Sequence, residues 1–207
     1  MLIQTQIGPV AATQSISPGV LAPVRAGQLG DVIVSELHGR YYETTYRRNM
    51  FTANVALQTT TAGTPATYTG LVVYNPIGST INMVLNKVGI AWGAALAAGY
   101  FGVMYGYSSG NITTLTTAQT PRNKFFGVGA AGQGLAASSI VAASAFTSVE
   151  VLGSMGSLAT TGYLSVPYFY DFEGSTVLPP GALAAIFTNV ITTSSLCASF
   201  DWEEVPL

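Results

Sequence analysis

Charged side chains make up only 8% of this 207-residue chain, about a third of the usual share for a soluble domain. A monomer of this size normally shows water a more charged surface, so protein neighbours or lipid are expected to cover part of this one. Lysine and glutamate are scarce, against 23 glycines and 11 tyrosines. That mix disfavours long helices and favours strands joined by tight turns. Seven basic residues face nine acidic ones, for a net charge of −2. Nothing here is an electrostatic footprint for nucleic acid, and no direct coat on packaged DNA is expected.

Cysteine and histidine are nearly absent. Cys197 stands alone, which excludes an intrachain disulfide and a thiolate zinc site; it reads as a small buried residue in a strand. His38 is the sole histidine, so any Ser–His or Cys–His nucleophile system would have to use it, and only Glu36 stands at a suggestive offset. It reads instead as a surface or hydrogen-bonding residue. The first ten residues lack a basic stretch followed by an apolar run, so no export signal is expected.

Long apolar runs with the make-up of a membrane helix are also missing. Residues 88–107 and 126–149 carry no charge and are long enough to span. The first stretch, however, holds five glycines, and its aromatics cluster in one half instead of forming belts at both ends. Residues 93–99 read better as a small-residue connection between strands at 81–92 and 100–107.

No set of residues carries a recognisable chemistry. Asp171 and Glu173 have the composition of an acid pair for glycoside hydrolysis, but beside Gly174 they read as a solvated turn. Asp201, Glu203 and Glu204 offer oxygen ligands for a hard cation; the stronger reading is a charged edge that keeps the last strand from pairing with strangers. Residues 127–134 are glycine-rich but lack the Gly-Lys-Ser/Thr ending of a phosphate loop. No enzyme, metal or cofactor is expected.

What is present is alternation. Residues 1–30, with Pro9, Pro18 and Pro23, have no periodicity and read as an extended arm that orders on a neighbour. Residues 31–207 read as one β domain. Strands are expected at 31–37, 51–58, 68–74, 81–92, 100–107, 148–152, 162–169 and 182–190, with turns at 75–79, 108–111 and 178–181. The last strand is the clearest: Leu196, Ala198, Phe200 and Trp202 alternate with Cys197, Ser199, Asp201 and Glu203, which assigns Phe200 and Trp202 to the core. Residues 125–145, rich in Gly, Ala and Ser, read as a long loop or a strand pair against a neighbour. The fold class is therefore all-β, a β-sandwich, with a jelly roll as the preferred form because its two sheets suit about eight strands.

Residues 38–49 hold three of the seven basic residues. As a strand, they would place Tyr42, Thr44 and Tyr46 on one face and Tyr41, Glu43 and Arg47 on the other. Arg40, Tyr42, Arg47 and Arg48 are the candidate partner contacts, since Arg and Tyr anchor interfaces. The competing reading pairs Arg47 or Arg48 with Glu43 or Asp171 inside one subunit.

Three strings carry a resemblance: Leu71-Val72-Val73-Tyr74-Asn75-Pro76 with Ile81-Asn82-Met83-Val84-Leu85, then Val177-Leu178-Pro179-Pro180-Gly181, then Phe200-Asp201-Trp202-Glu203-Glu204-Val205-Pro206. Over residues 68–207 the chain resembles accessory virion proteins of tailed bacteriophages, the small jelly-roll proteins that decorate or spike a capsid or sit at head and tail vertices. The resemblance implies a non-enzymatic homo-oligomer, often a trimer, that contacts other virion proteins such as the major capsid protein. It also implies a virion location after synthesis in the host cytoplasm. Two readings from other classes stay open. One is a glycan- or receptor-binding module using the tyrosine-rich segments 100–107 and 163–172; the other is a membrane-associated protein.

Overall fold

The computed structural model describes residues 5–6, 24–25, 39–93, 98–111, 113–127, 131–142, 146–155 and 167–207. The chain forms two compact units, Met1–Tyr42 and Glu43–Leu207. In the first, β1 (Thr5–Gln6) and β2 (Val24–Arg25) pair in parallel, with Thr5 opposite Val24. The rest of the expected arm and the strand expected at 31–37 lie outside the described residues.

The short helix α1 (Tyr42–Tyr46) is followed by β3 (Met50–Thr60), β4 (Thr67–Tyr74), β5 (Ile81–Trp92), β6 (Gly99–Tyr107), β7 (Thr114–Gln119) and β8 (Arg122–Asn123). Then come β9 (Leu135–Val141), β10 (Ser148–Met155), β11 (Tyr168–Leu178), β12 (Ala182–Thr188) and β13 (Thr192–Pro206). One sheet runs β10-β6-β12-β4-β9-β7 and the other β11-β5-β13-β3-β8. Every pairing among these strands is antiparallel. The described residues thus form an all-β sandwich.

Alternating side chains fill the space between the sheets. Leu71 and Val73 of β4, Val103 of β6, and Ala184 and Ile186 of β12 meet Met83, Leu85 and Ile90 of β5 and Phe200 and Trp202 of β13. The residues between them on the six-stranded sheet, Val72, Tyr74, Met104, Leu183 and Ala185, gather in a second buried cluster with Tyr68 and Phe146. Successive side chains of a strand point to opposite faces, so this sheet is buried on both. That is why β4 and β12 read as continuous apolar runs, Leu71-Val72-Val73-Tyr74 and Ala182-Leu183-Ala184-Ala185-Ile186, without a polar face.

Two of the expected turns are bonded to each other. The Gly181 N–H donates to the Asn75 carbonyl at 2.7 Å, and the Asn75 N–H to the Ala182 carbonyl at 2.9 Å. Gly181 holds φ at +91°, and a Cβ there would sit 2.2 Å from the Ser108 carbonyl oxygen. Only glycine fits both the angle and the space.

Several expectations are corrected. Residues 42–46 are helical instead of extended. The cause is a C-terminal cap: the Asn49 N–H bonds the Thr44 carbonyl at 3.0 Å, the Arg48 N–H bonds the Thr45 carbonyl at 2.9 Å, and Arg48 adopts φ +66°. That double closure satisfies carbonyls that a strand would offer to a neighbour. Residues 171–173 are not a turn between strands but a bulge within β11, where the register with β5 shifts between Asp171 and Thr176 and Glu173 and Gly174 take positive φ. Residues 201–204 are not at an edge, because β13 lies between β5 and β3. Cys197 is half-buried, not buried. Residues 114–119 form a strand that was not expected, and 135–141 form one inside the stretch expected to be a long loop or a strand pair. The first is Thr-rich and mostly exposed, and the second is built of small residues, so neither alternates in hydropathy.

Candidate functional site: a tyrosine-lined groove at the sheet edges

The candidates from residues 40–48 do not converge on one feature. Arg40 lies over the Tyr41 ring at 5.4 Å, and Tyr42 is exposed at the helix start. The Arg47 Nε pairs with Glu43 Oε2 at 3.5 Å across one helical turn, with both side chains exposed. A pair like that adds little to stability. Arg48 lies over the Phe125 ring at 5.5 Å. Arg40, Arg47 and Arg48, which flank the helix, thus each have a partner within the chain.

Phe200 and Trp202 are fully buried. Trp202 stacks on Phe51, with ring centroids 6.1 Å apart, and its Nε1 donates to Glu204 Oε1 at 3.4 Å. That same carboxylate accepts the Gln133 N–H at 2.9 Å and the Gly134 N–H at 2.8 Å. The glycine-rich segment thus spends two of its backbone donors on the protein's own Glu204 and not on a phosphate. Residues 128–130 of that segment, and His38, lie outside the described residues. Asp171 accepts the Glu173 N–H at 2.9 Å within the β11 bulge. Among the described residues, no three His, Cys, Asp or Glu side chains gather to hold a metal ion, and no helix is long and apolar enough to cross a membrane.

A concavity lies where the two sheets end side by side. β10 closes one sheet and β11 the other, and Glu150 of β10 joins them. Its Oε2 accepts the Tyr105 hydroxyl at 2.8 Å and its Oε1 the Tyr170 hydroxyl at 3.0 Å. Beside this bridge is a groove of about 380 Å³ whose lining includes Tyr105, Tyr107, Thr147, Ser148 and Thr176. That size lies within the range of small-molecule sites.

Electrostatics tie the groove wall together. Burial, with the Glu150 hydrogen bond second, pushes the Tyr105 hydroxyl well above the ordinary tyrosine range, while a hydrogen bond from Thr176 pulls the other way. The hydrogen bond to Glu150 is the main cause raising Tyr170. Both tyrosines therefore stay protonated as donors to the carboxylate at any physiological pH.

Periodicity could not have found this site, because its parts come from three strands far apart in sequence. One signal was available: Glu150 is the sole charged residue between Lys124 and Asp171. A lone acid in so long a neutral stretch has to find hydrogen-bond donors if it is to fold inward. Comparison with known protein families, with curated protein sequences and with solved structures finds no match to this chain.

Proposed function

We propose that the chain is a structural subunit of a virus particle, a homo-oligomeric decoration, minor capsid or spike protein with no catalytic role. One observation carries this reading. The strands pair in nested order, β4 with β12, β5 with β11, β6 with β10 and β7 with β9. Nesting of this kind is what a long hairpin produces when it is rolled up into two sheets, the jelly roll that shell-forming and lectin domains share. The β7–β9 pair hangs from the β4 side of one sheet, and β3 and β13 fill the other, so the proposed topology is a jelly roll with a displaced hairpin.

The surface supports an assembled state. Edge strand β10 exposes Val149 and Val151, the latter at 58%, and the neighbouring edge β11 exposes Phe169 at 65% and Val177. The opposite edge, β7, is Thr114-Leu115-Thr116-Thr117-Ala118-Gln119. Soluble proteins guard edge strands with charge, above all lysine. Neither β10 nor β11 carries a lysine or arginine. A second copy of this chain is the occupant proposed for that edge, since it would cover the exposed Val149, Val151, Phe169 and Val177.

Native mass spectrometry and light scattering of the purified protein test the assembly, and proteomics of purified particles from the source tests the location. A discrete homo-oligomer, with a trimer expected, and recovery of the chain at stoichiometric levels in particles are the predicted results. A stable monomer at micromolar concentration, or absence from particles, would overturn the proposal.

A further inference from the structure

We infer that copies of this chain join head to tail, Phe126 of one copy seating in the groove between β10 and β11 of the next. The inference rests on the homo-oligomer proposed above and names the two surfaces that meet. A cyclic trimer cannot be built from one self-complementary patch; each copy must offer two different, matching surfaces. The β10–β11 edge is one of them. The other is expected to carry an exposed apolar anchor and the opposite charge.

Phe126 is that anchor. It is 79% exposed, more than any other large apolar side chain among the described residues. It follows β8, the edge strand opposite β11 in the five-stranded sheet. The groove is walled by Tyr105, Tyr107, Val177, Leu178, Pro179 and Ala182, apolar side chains and ring faces against which a phenyl ring packs. Grooves of its size take guests larger than one side chain.

The charges match as well. β10 and β11 carry Glu150, Asp171 and Glu173 and no basic residue. Glu150 is held by Tyr105 and Tyr170, and Asp171 stands opposite Lys87 of β5. Glu173 is the exposed charge of that edge. On the other edge Lys124 pairs with Asp201, and Arg47 with Glu43. The exposed Arg48, over the Phe125 ring, and the exposed Arg122 therefore set the sign beside Phe126. Opposite signs on the two surfaces steer copies together in one orientation.

The two surfaces also lie level. One row of paired residues crosses the sheet, from Thr176 at the groove through Leu85, Trp202 and Phe51 to Asn123 of β8. Copies joined at one level are not displaced along their strands. Their contacts close into a ring about an axis along the strands instead of running on as a filament.

Analytical ultracentrifugation of the full-length protein, with melting temperatures as the control for folding, tests this. Phe126→Ala is expected to weaken association about thirty-fold or more, as loss of a central anchor does. Ser148→Trp, which fills the groove from an exposed position, is expected to do the same, with Thr147→Trp in its place if the first lowers the melting temperature. Each variant keeps the surface that the other lacks, so an equimolar mixture of the two is expected to form a heterodimer. Ile191 is 63% exposed beside Thr192, which pairs with Thr60 at the end of β3 away from β8. Ile191→Ala is expected to assemble as the parent does. With an oligomeric parent, equal assembly of Phe126→Ala or a mixture that stays monomeric overturns this inference alone. A monomeric parent overturns it together with the assembly.

Discussion

The Asn75 side-chain amide donates to the Leu178 carbonyl at 2.9 Å across 103 residues of sequence. The same Nδ2 donates to the Ile81 carbonyl at 2.9 Å, and Oδ1 accepts the Ser79 hydroxyl. One buried side chain thereby joins the turn after β4 to the start of β5 and the end of β11. Removing it strands two buried carbonyls, each costing about 1–3 kcal/mol. Asn75→Ala is expected to lower unfolding free energy by about 2–4 kcal/mol in urea titrations. Ser79→Ala, which removes a part-buried hydroxyl bonded to Asn75 Oδ1 and, at 3.3 Å, to the Ile81 carbonyl, is expected to cost about 1 kcal/mol. Equal effects would mean that the turn, and not the bridge, carries the stability.

Arg48 sits in the left-handed region at φ +66° as the residue that caps α1. Glycine prefers that position, so Arg48→Gly is expected to stabilise the protein by about 0.5–1 kcal/mol despite losing the contact with Phe125. Arg47→Ala removes an exposed ion pair and is expected to change stability by less than about 0.5 kcal/mol. If either arginine contacts a partner subunit, its variant weakens association while the melting temperature holds. Thermal scans paired with light scattering separate the two effects.

Trp202 is 0% exposed while its neighbour Glu203 is half-buried on the other face of β13. Trp202→Ala is expected to cost about 3–5 kcal/mol. Desolvation raises the Glu203 carboxyl above its ordinary range, so the folded state holds that proton more tightly than the unfolded state. The stability linked to this proton is full below about pH 4, the range of an unfolded glutamate, and is lost as pH rises through the elevated folded value. Glu203→Gln should therefore flatten the decline above about pH 4 and be no less stable than the parent at pH 7. A steeper decline in the variant would show that the carboxylate is stabilised in the fold, not penalised.

Val151→Lys places a charge on an exposed edge position without touching the core. It is expected to leave the melting temperature of the subunit within a few degrees and to shift the particle or oligomer toward monomer in light scattering. Thr116→Lys on the opposite edge strand is expected to leave assembly intact. A reversed pattern would move the interface to the β7 side.

Fold class and most of the strands were legible in local sequence. Alternation in β13 and β5, and proline–glycine turns at 75–79 and 178–181, are local properties, set by the two-residue period of a strand and the φ angles that turns require. β9 stayed hidden because Ala136 and Ala137 are both buried, one on each face of the sheet, and a strand buried on both sides shows no alternation. Helix α1 stayed hidden because its Thr- and Tyr-rich text favours strands, while the cap after it depends on hydrogen bonds that composition does not announce. That β13 runs through the middle of its sheet, by contrast, follows from long-range strand order. The same is true of Glu204, which is turned onto the backbone of Gln133 and Gly134, and of Glu150, which meets Tyr105 and Tyr170. Those relationships join residues 20 to 71 positions apart, and contacts at such separations follow from how strands are ordered in the sheets, which the rolling of the whole chain sets and no local pattern encodes.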